Sequence, residues 1–202
     1  MRVVSRQCFS VLASLLLCAG CASSPPARYF SLEAMPVSGG QAEGGRLVGV
    51  GPVGIARYLK RPQMVMRGDD NEMLLDDFNR WAEPLDDALP RVLTSDLAAL
   101  LPQVSLLQLP TLSPLRPEYR VLVGINRFDV DASGQAILDV QWGLDDGQKV
   151  LLGPRRDRYS ESASQADDVG SQVDALRRSL EAFARDVAAA LADLLAQPPP
   201  AS

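Results

Sequence analysis

The chain has 202 residues, 47% of them apolar and 5% aromatic, with a formal net charge of −5. That is about one domain with enough apolar residues for a core; it excludes a disordered or collagen-like chain, and its acidic balance excludes duplex nucleic acid, whose phosphates need a Lys/Arg face. There is no histidine, and the three cysteines, Cys8, Cys18 and Cys21, all lie at the N-terminus, so His-dependent nucleophile triads, imidazole metal sites and a disulfide framework across the domain are excluded as well.

Arg2 and Arg6 give a positive start, and residues 9–19 are apolar or small, too few to span a bilayer as a helix. Residues 1–20 therefore read as a secretory signal peptide. Its end, Leu17-Cys18-Ala19-Gly20-Cys21, resembles a bacterial lipobox, in which small residues precede a cysteine that is acylated while the chain is cut just before it. Cys18 stands where such a motif usually has Leu; an ordinary signal peptide with a free cysteine nearby is the alternative. Cleavage before Cys21 leaves 182 residues and a charge of −7, since Arg2 and Arg6 leave with the signal. The one remaining thiol is consumed by lipid, so neither a cofactor nor a metal is expected. Two or more acyl chains, each CH₂ contributing about 0.8 kcal/mol, make a stable anchor. Ala22 follows Cys21, where an Asp would resemble an inner-membrane retention signal; its absence points to the outer membrane. The tether, residues 22–27 (ASSPPA), reaches at most roughly 20 Å.

Residues 28–32 read as a first strand, 33–45 as a loop rich in glycine, and 46–53 as a strand ended near Pro52. Residues 63–67 and 72–75 suit a hairpin around Gly68-Asp69-Asp70-Asn71. Leu85, Leu89, Leu93, Leu97 and Leu100 recur at helical spacing within residues 84–101. Pro90 lies inside that run and disfavours a straight helix; either a kink occurs near Asp86 or the main helix begins at Pro90. Residues 104–109 form a short strand, and Pro110, Pro114 and Pro117 enforce a loop. Tyr119, Val121, Val123 and Ile125 alternate, as do Ala136, Leu138, Val140, Trp142 and Leu144, with Asp131-Ala132-Ser133-Gly134 joining them. Asp145-Asp146-Gly147 turns into a strand over 149–159. Val169, Val173, Leu176, Leu180, Phe183, Val187, Leu191 and Leu194 define a long amphipathic helix, stopped by Pro198-Pro199-Pro200. The pattern predicts a single α+β domain over residues 28–197, a mostly antiparallel or mixed sheet packed by two main helices, with a disordered tail over 198–202.

Several patterns imitate chemistry. Gly49-Val50-Gly51-Pro52-Val53-Gly54 matches the dinucleotide fingerprint, yet Pro52 and Pro62 deny it the helix N-terminus that such a loop needs; it reads as a strand end and loop. Asp129-Val130-Asp131-Ala132-Ser133-Gly134 begins like a calcium loop, but the twelfth position is Val140 instead of a bidentate Glu, so it reads as a hairpin turn. The acid pairs Asp76/Asp77, Asp86/Asp87 and Asp145/Asp146 point their carboxylates apart and read as turn and cap residues rather than a glycosidase pair. Arg155, Arg156 and Arg158 form the one basic cluster, a solvated face balanced by acids or a contact for headgroups or an acidic partner.

Two segments exceed generic patterning. Tyr58-Leu59-Lys60-Arg61-Pro62-Gln63-Met64-Val65-Met66-Arg67 and Phe78-Asn79-Arg80-Trp81-Ala82-Glu83-Pro84-Leu85 together resemble the ABC-transport auxiliary lipoprotein family of the PqiC type, the membrane integrity-associated transporter lipoprotein subunits. The resemblance runs from the lipobox through the first helix and fades between about residues 132 and 165. It implies a non-enzymatic outer-membrane lipoprotein with a palmitate-type anchor, facing the periplasm. Its implied partner is a PqiB-like MCE-domain protein, a tunnel between the two membranes for lipid traffic; a homo-oligomer is left open. The matching positions Tyr58, Arg61, Pro62, Arg80, Trp81, Glu83 and Pro84 carry no assigned chemistry. Arg80, Trp81, Glu83 and Pro84 are read as motif or structural residues, Trp81 first as core. Tyr58, Arg61, Pro62, Arg155, Arg156 and Arg158 are the partner-contact candidates. The competing class is an envelope assembly or scaffold lipoprotein without a transport role; a periplasmic hydrolase lacks the histidine and thiol it would use.

Overall fold

The computed structural model describes residues 25–36, 45–68 and 72–196. The expected signal peptide, Cys21, the middle of the glycine-rich loop, three residues of the first hairpin turn and the C-terminal tail lie outside the described residues. Among the described residues eight strands and two helices follow one another: β1 (Arg28–Phe30), β2 (Leu47–Ile55), β3 (Gln63–Arg67), β4 (Met73–Trp81), α1 (Leu85–Leu100), β5 (Ser105–Gln108), β6 (Tyr119–Asp131), β7 (Gln135–Asp145), β8 (Val150–Ser162) and α2 (Val169–Leu195). A 3₁₀ turn over Arg57–Leu59 links β2 to β3.

All eight strands form one mixed sheet, the α+β architecture expected from the sequence. The long β6 is its axis. One edge of β6 pairs antiparallel with β7 throughout. The other edge is shared by two parallel neighbours, β2 beside residues 119–125 and β3 beside residues 130–131. Antiparallel β4 and then parallel β1 extend the sheet from β3; parallel β5 extends it from β2. Antiparallel β8 follows β7 and has no strand on its far side among the described residues. The widest row thus runs β1-β4-β3-β6-β7-β8.

The helices cover one face of this sheet, α2 over β6, β7 and β8 and α1 over β2 and β5. The buried stripe of α2 is the one read from its spacing: Val173, Leu176, Leu180, Phe183, Val187 and Leu191. Phe183 meets Trp142 of β7 edge to face at 5.8 Å. The Asp168 carboxylate caps α2, accepting the Ser171 N–H at 2.8 Å. Along β6 the buried parity changes. Tyr119, Val121, Val123 and Ile125 face the core, then Phe128 and Val130 do, because the pairing with β7 slips between Ile125 and Arg127. The odd-numbered Asp129 is thereby turned to the face away from the helices.

The helix α1 begins at Leu85, directly after Pro84, and carries Pro90 inside, so a helix starting at Pro90 is not what forms. Strand β2 does not stop at Pro52 but continues to Ile55. Its pairing with β6 slips between Val50 and Val53, which leaves Pro52, with no N–H to donate, at the irregularity. The glycine fingerprint is explained by close packing. A Cβ on Gly49 would lie 2.6 Å from Leu109 Cδ1, and Gly51, at φ 122°, would meet the Leu109 carbonyl oxygen at 2.4 Å. The segment Asp131–Gly134 is the expected hairpin turn: the Asp131 carboxylate accepts the N–H groups of Ser133 and Gln135, and Gly134 takes φ 78°. Among the described residues no helix is long and apolar enough to cross a membrane, and no cluster of three metal-ligating side chains occurs.

Candidate functional site

Most of the family-like residues converge on one cleft of about 530 Å³ at the β1 edge of the sheet. A break in the β3–β4 ladder opens it. Gln63 pairs with Arg80 but Met64 pairs with Asp76, so β4 carries three extra residues there. The Asp76 carboxylate holds that excursion by accepting the N–H groups of Phe78 and Asn79, both at 2.9 Å, and the Asn79 amide at 2.6 Å. Beyond it the chain rejoins the sheet. The Trp81 N–H donates to the Pro62 carbonyl at 2.7 Å and the Ala82 N–H to the Phe30 carbonyl at 2.8 Å. Tyr29 of β1 comes into register beside Arg80. Residues 60–62 after the 3₁₀ turn and residues 82–86 at the start of α1 form the remaining walls.

The structure therefore brings Arg61, Pro62, Arg80, Trp81, Glu83 and Pro84 together. Trp81 is its floor and belongs to the core, 6% exposed and stacked on Phe128 at 6.4 Å. Glu83 is engaged by Arg91, and Asp86 lies 3.7 Å from Lys60. Arg80 donates its Nε to the Asp77 carbonyl at 3.0 Å. The buried Arg61 Nε has no acceptor among the described residues. Tyr29, Lys60 and Asp86 line the cleft too; they are not among the candidate site residues of the sequence, and Tyr29 reaches Arg80 only through the pairing of β1 with β4.

Tyr58 stands apart from this cleft. Its hydroxyl donates to Asp129 Oδ2 at 2.8 Å. Arg67 lies on the same oxygen at 3.2 Å and Arg127 on Oδ1 at 2.7 Å, so three donors surround a fully buried carboxylate. Burial, then the Asp129 charge, push the Tyr58 phenol well above its ordinary value.

Arg155, Arg156 and Arg158 lie on β8, across the sheet from the cleft. Arg156 and Arg158 share a face, as strand alternation predicts, and both donate to Asp139 of β7, at 2.9 and 3.1 Å. The Arg156 hydrogen bonds foremost hold the Asp139 carboxyl below the usual carboxylate range. Arg155 is on the opposite face, over the Trp142 ring at 5.3 Å. The Trp142 Nε1–H donates to Asp157 at 2.7 Å.

A model of the family described as the ABC-type transport auxiliary lipoprotein component matches residues 30–188. That span holds the cleft and β8, and it includes residues 132–165, where the resemblance fades. Among solved structures, an uncharacterized protein superposes with a TM-score of 0.70 at 20% identity, covering 83% of this chain and 99% of its own. A protein from Xanthomonas campestris, assigned to a family of unknown function, superposes with a TM-score of 0.63 at 17% identity over 80% of this chain and 93% of its own. At such identities the likeness is one of fold. No curated protein matches the chain.

Proposed function

The chain belongs to the ABC-type transport auxiliary lipoprotein family, and from that premise we propose that it is the outer-membrane lipoprotein subunit of an MCE-type lipid transport system. In this reading it is anchored through acylated Cys21, faces the periplasm, and acts without turnover of its own as the partner of the tunnel protein that spans the gap. The family match over residues 30–188 carries the reading. The lipobox-like end of the leader and the Ala22 that follows Cys21 support the anchor and its membrane.

The sheet order supports an orientation. The first described residues lead straight into β1, so the β1 edge faces the anchor. Strand β8 is five strand spacings away, roughly 24 Å at about 4.8 Å each. Along its 13 residues one edge is free of any strand among the described residues. Free backbone groups on a long edge can pair with an added strand. Pro154 and the charges of Arg155, Arg156, Asp157 and Arg158 restrain indiscriminate pairing there, leaving an edge suited to a partner with complementary acids. Intact mass of the mature protein tests the anchor: an acylated Cys21 is expected, and an unmodified N-terminus contradicts it. Capture of the tunnel protein from cross-linked cells tests the function; a lipoprotein that captures none is an envelope scaffold.

A further inference from the structure

We propose that the cleft at the β1 edge holds the phosphate of an anionic glycerophospholipid from the membrane that carries the anchor. This rests on the anchoring at Cys21 proposed above. Three cations line the cleft, Lys60, Arg61 and Arg80. Lys60 is balanced by Asp86 at 3.7 Å, and the second carboxylate of the cleft, Glu83, is held by Arg91. The two guanidiniums have no such counterpart. Arg80 makes one hydrogen bond, from Nε to a carbonyl, and its two terminal nitrogens have no partner among the described residues. The Arg61 side chain has none at all, although its Nε is buried.

Arg57 and Arg116 also lack an ion pair, and the Arg67 Nε is also buried without an acceptor, but among the described residues only Arg61 combines the two. Arg46, Arg67, Arg120, Arg127, Arg156 and Arg158 all lie within 3.2 Å of a carboxylate. A buried N–H without an acceptor is costly, and natural structures seldom keep one without a reason. Two guanidinium groups lining one cleft offer paired donors, which suit the several oxygens of a phosphate. Tyr29, 63% exposed and in register with Arg80, adds an aromatic wall at the mouth, where a glycerol moiety would pack. Position favours a lipid over free phosphate. Tyr29 follows Cys21 by eight residues, so the mouth lies within roughly 28 Å of the anchor along the extended chain.

Titration of the mature chain, purified in a neutral maltoside detergent, with dihexanoyl phosphatidylglycerol tests this by phosphorus NMR. The wild-type chain should bind the lipid. A chain carrying Arg61→Gln and Arg80→Gln should bind at least tenfold more weakly, while Lys149→Gln, remote from the cleft, should bind as the wild type does. Inorganic phosphate should bind at least tenfold more weakly than the lipid. No binding, equal binding by the double variant, or phosphate binding as tight as that of the lipid would each overturn the proposal. The melting temperature reports whether the double variant is folded; if it is not, Arg80→Gln alone carries the comparison and should still weaken binding several-fold. The assay uses neither the partner nor a membrane, so its failure leaves the transport reading standing.

Discussion

The guanidinium of Arg156 spans both carboxylate oxygens of Asp139, Nε at 3.0 Å from one and an amino nitrogen at 2.9 Å from the other. The carboxylate is almost wholly buried while the guanidinium remains mostly exposed. One residue of the pair thus serves the sheet, and the other presents charge at the free edge of β8.

Charge at that edge should govern how the partner is met. Replacing Arg156 and Arg158 by Gln keeps amide donors near Asp139 and removes two positive charges. Rim charges act mainly on association rate and salt sensitivity. The variant should therefore associate several-fold more slowly at low salt and lose most of its salt dependence, with dissociation little changed. Surface plasmon resonance over a salt series measures this, and an unchanged salt slope would place the partner surface elsewhere.

Asp129 should matter far more to stability than Tyr58. Asp129→Ala leaves Arg67 and Arg127 without the buried carboxylate they face, a loss of roughly 3–5 kcal/mol. Tyr58→Phe removes one hydrogen bond of three and should cost about 1 kcal/mol. Urea unfolding of both variants checks the ratio; equal losses would mean that the tyrosine, not the ion cluster, holds this face.

Asp96 should make stability depend on pH. It is 1% exposed on α1, and its Oδ1 accepts the Met35 N–H at 2.7 Å. Burial pushes its carboxyl up to about 6. The Met35 amide opposes this, Glu181 of α2 adds to it, and Arg177 and Arg185 of α2 oppose it. A carboxyl whose folded value lies above its unfolded one favours the protonated state of the fold. Its contribution is complete below about pH 4 and is lost as pH rises through about 6, on the order of 1–3 kcal/mol. Asp96→Asn should remove that slope and raise the melting temperature at pH 7.5. A variant with the wild-type slope between pH 4 and 7 would refute the assignment.

Trp81 should behave as core despite lining the cleft. Its stack on Phe128 and its near-complete burial predict a loss of roughly 3–5 kcal/mol for Trp81→Ala by chemical denaturation. A loss under about 1 kcal/mol would return it to the surface as a partner contact.

Much of this fold is legible in the sequence because its clearest signals are local. The stripe of α2 and the turns at Asp131–Gly134 and Asp145–Gly147 depend on residues within one element or one turn. Alternation along β6 and β7 likewise shows which side chains meet the core. It does not show which strands are neighbours, and so the parallel pairing of β2 and β3 along one edge of β6 is not visible. Neither is the passage of β2 through Pro52, which only the slipped register permits. Nothing in the sequence marks Asp129 and Asp139 as buried, because Asp129 draws Arg67 and Asp139 draws Arg156 and Arg158 from other strands. The cleft was half legible: its two family-like segments stand out, but Tyr29 joins them only through the pairing of β1 with β4.

The proposed role of this lipoprotein is that of partner to a periplasm-spanning MCE-domain protein. Mild crosslinking in intact cells, followed by purification of the acylated chain and identification of bound protein, tests it most directly. An MCE-domain protein should be recovered with the wild-type chain, and its yield should fall several-fold with the Arg156→Gln, Arg158→Gln variant. Recovery of envelope proteins with no MCE-domain protein among them would rule out that role and leave an envelope scaffold as the function.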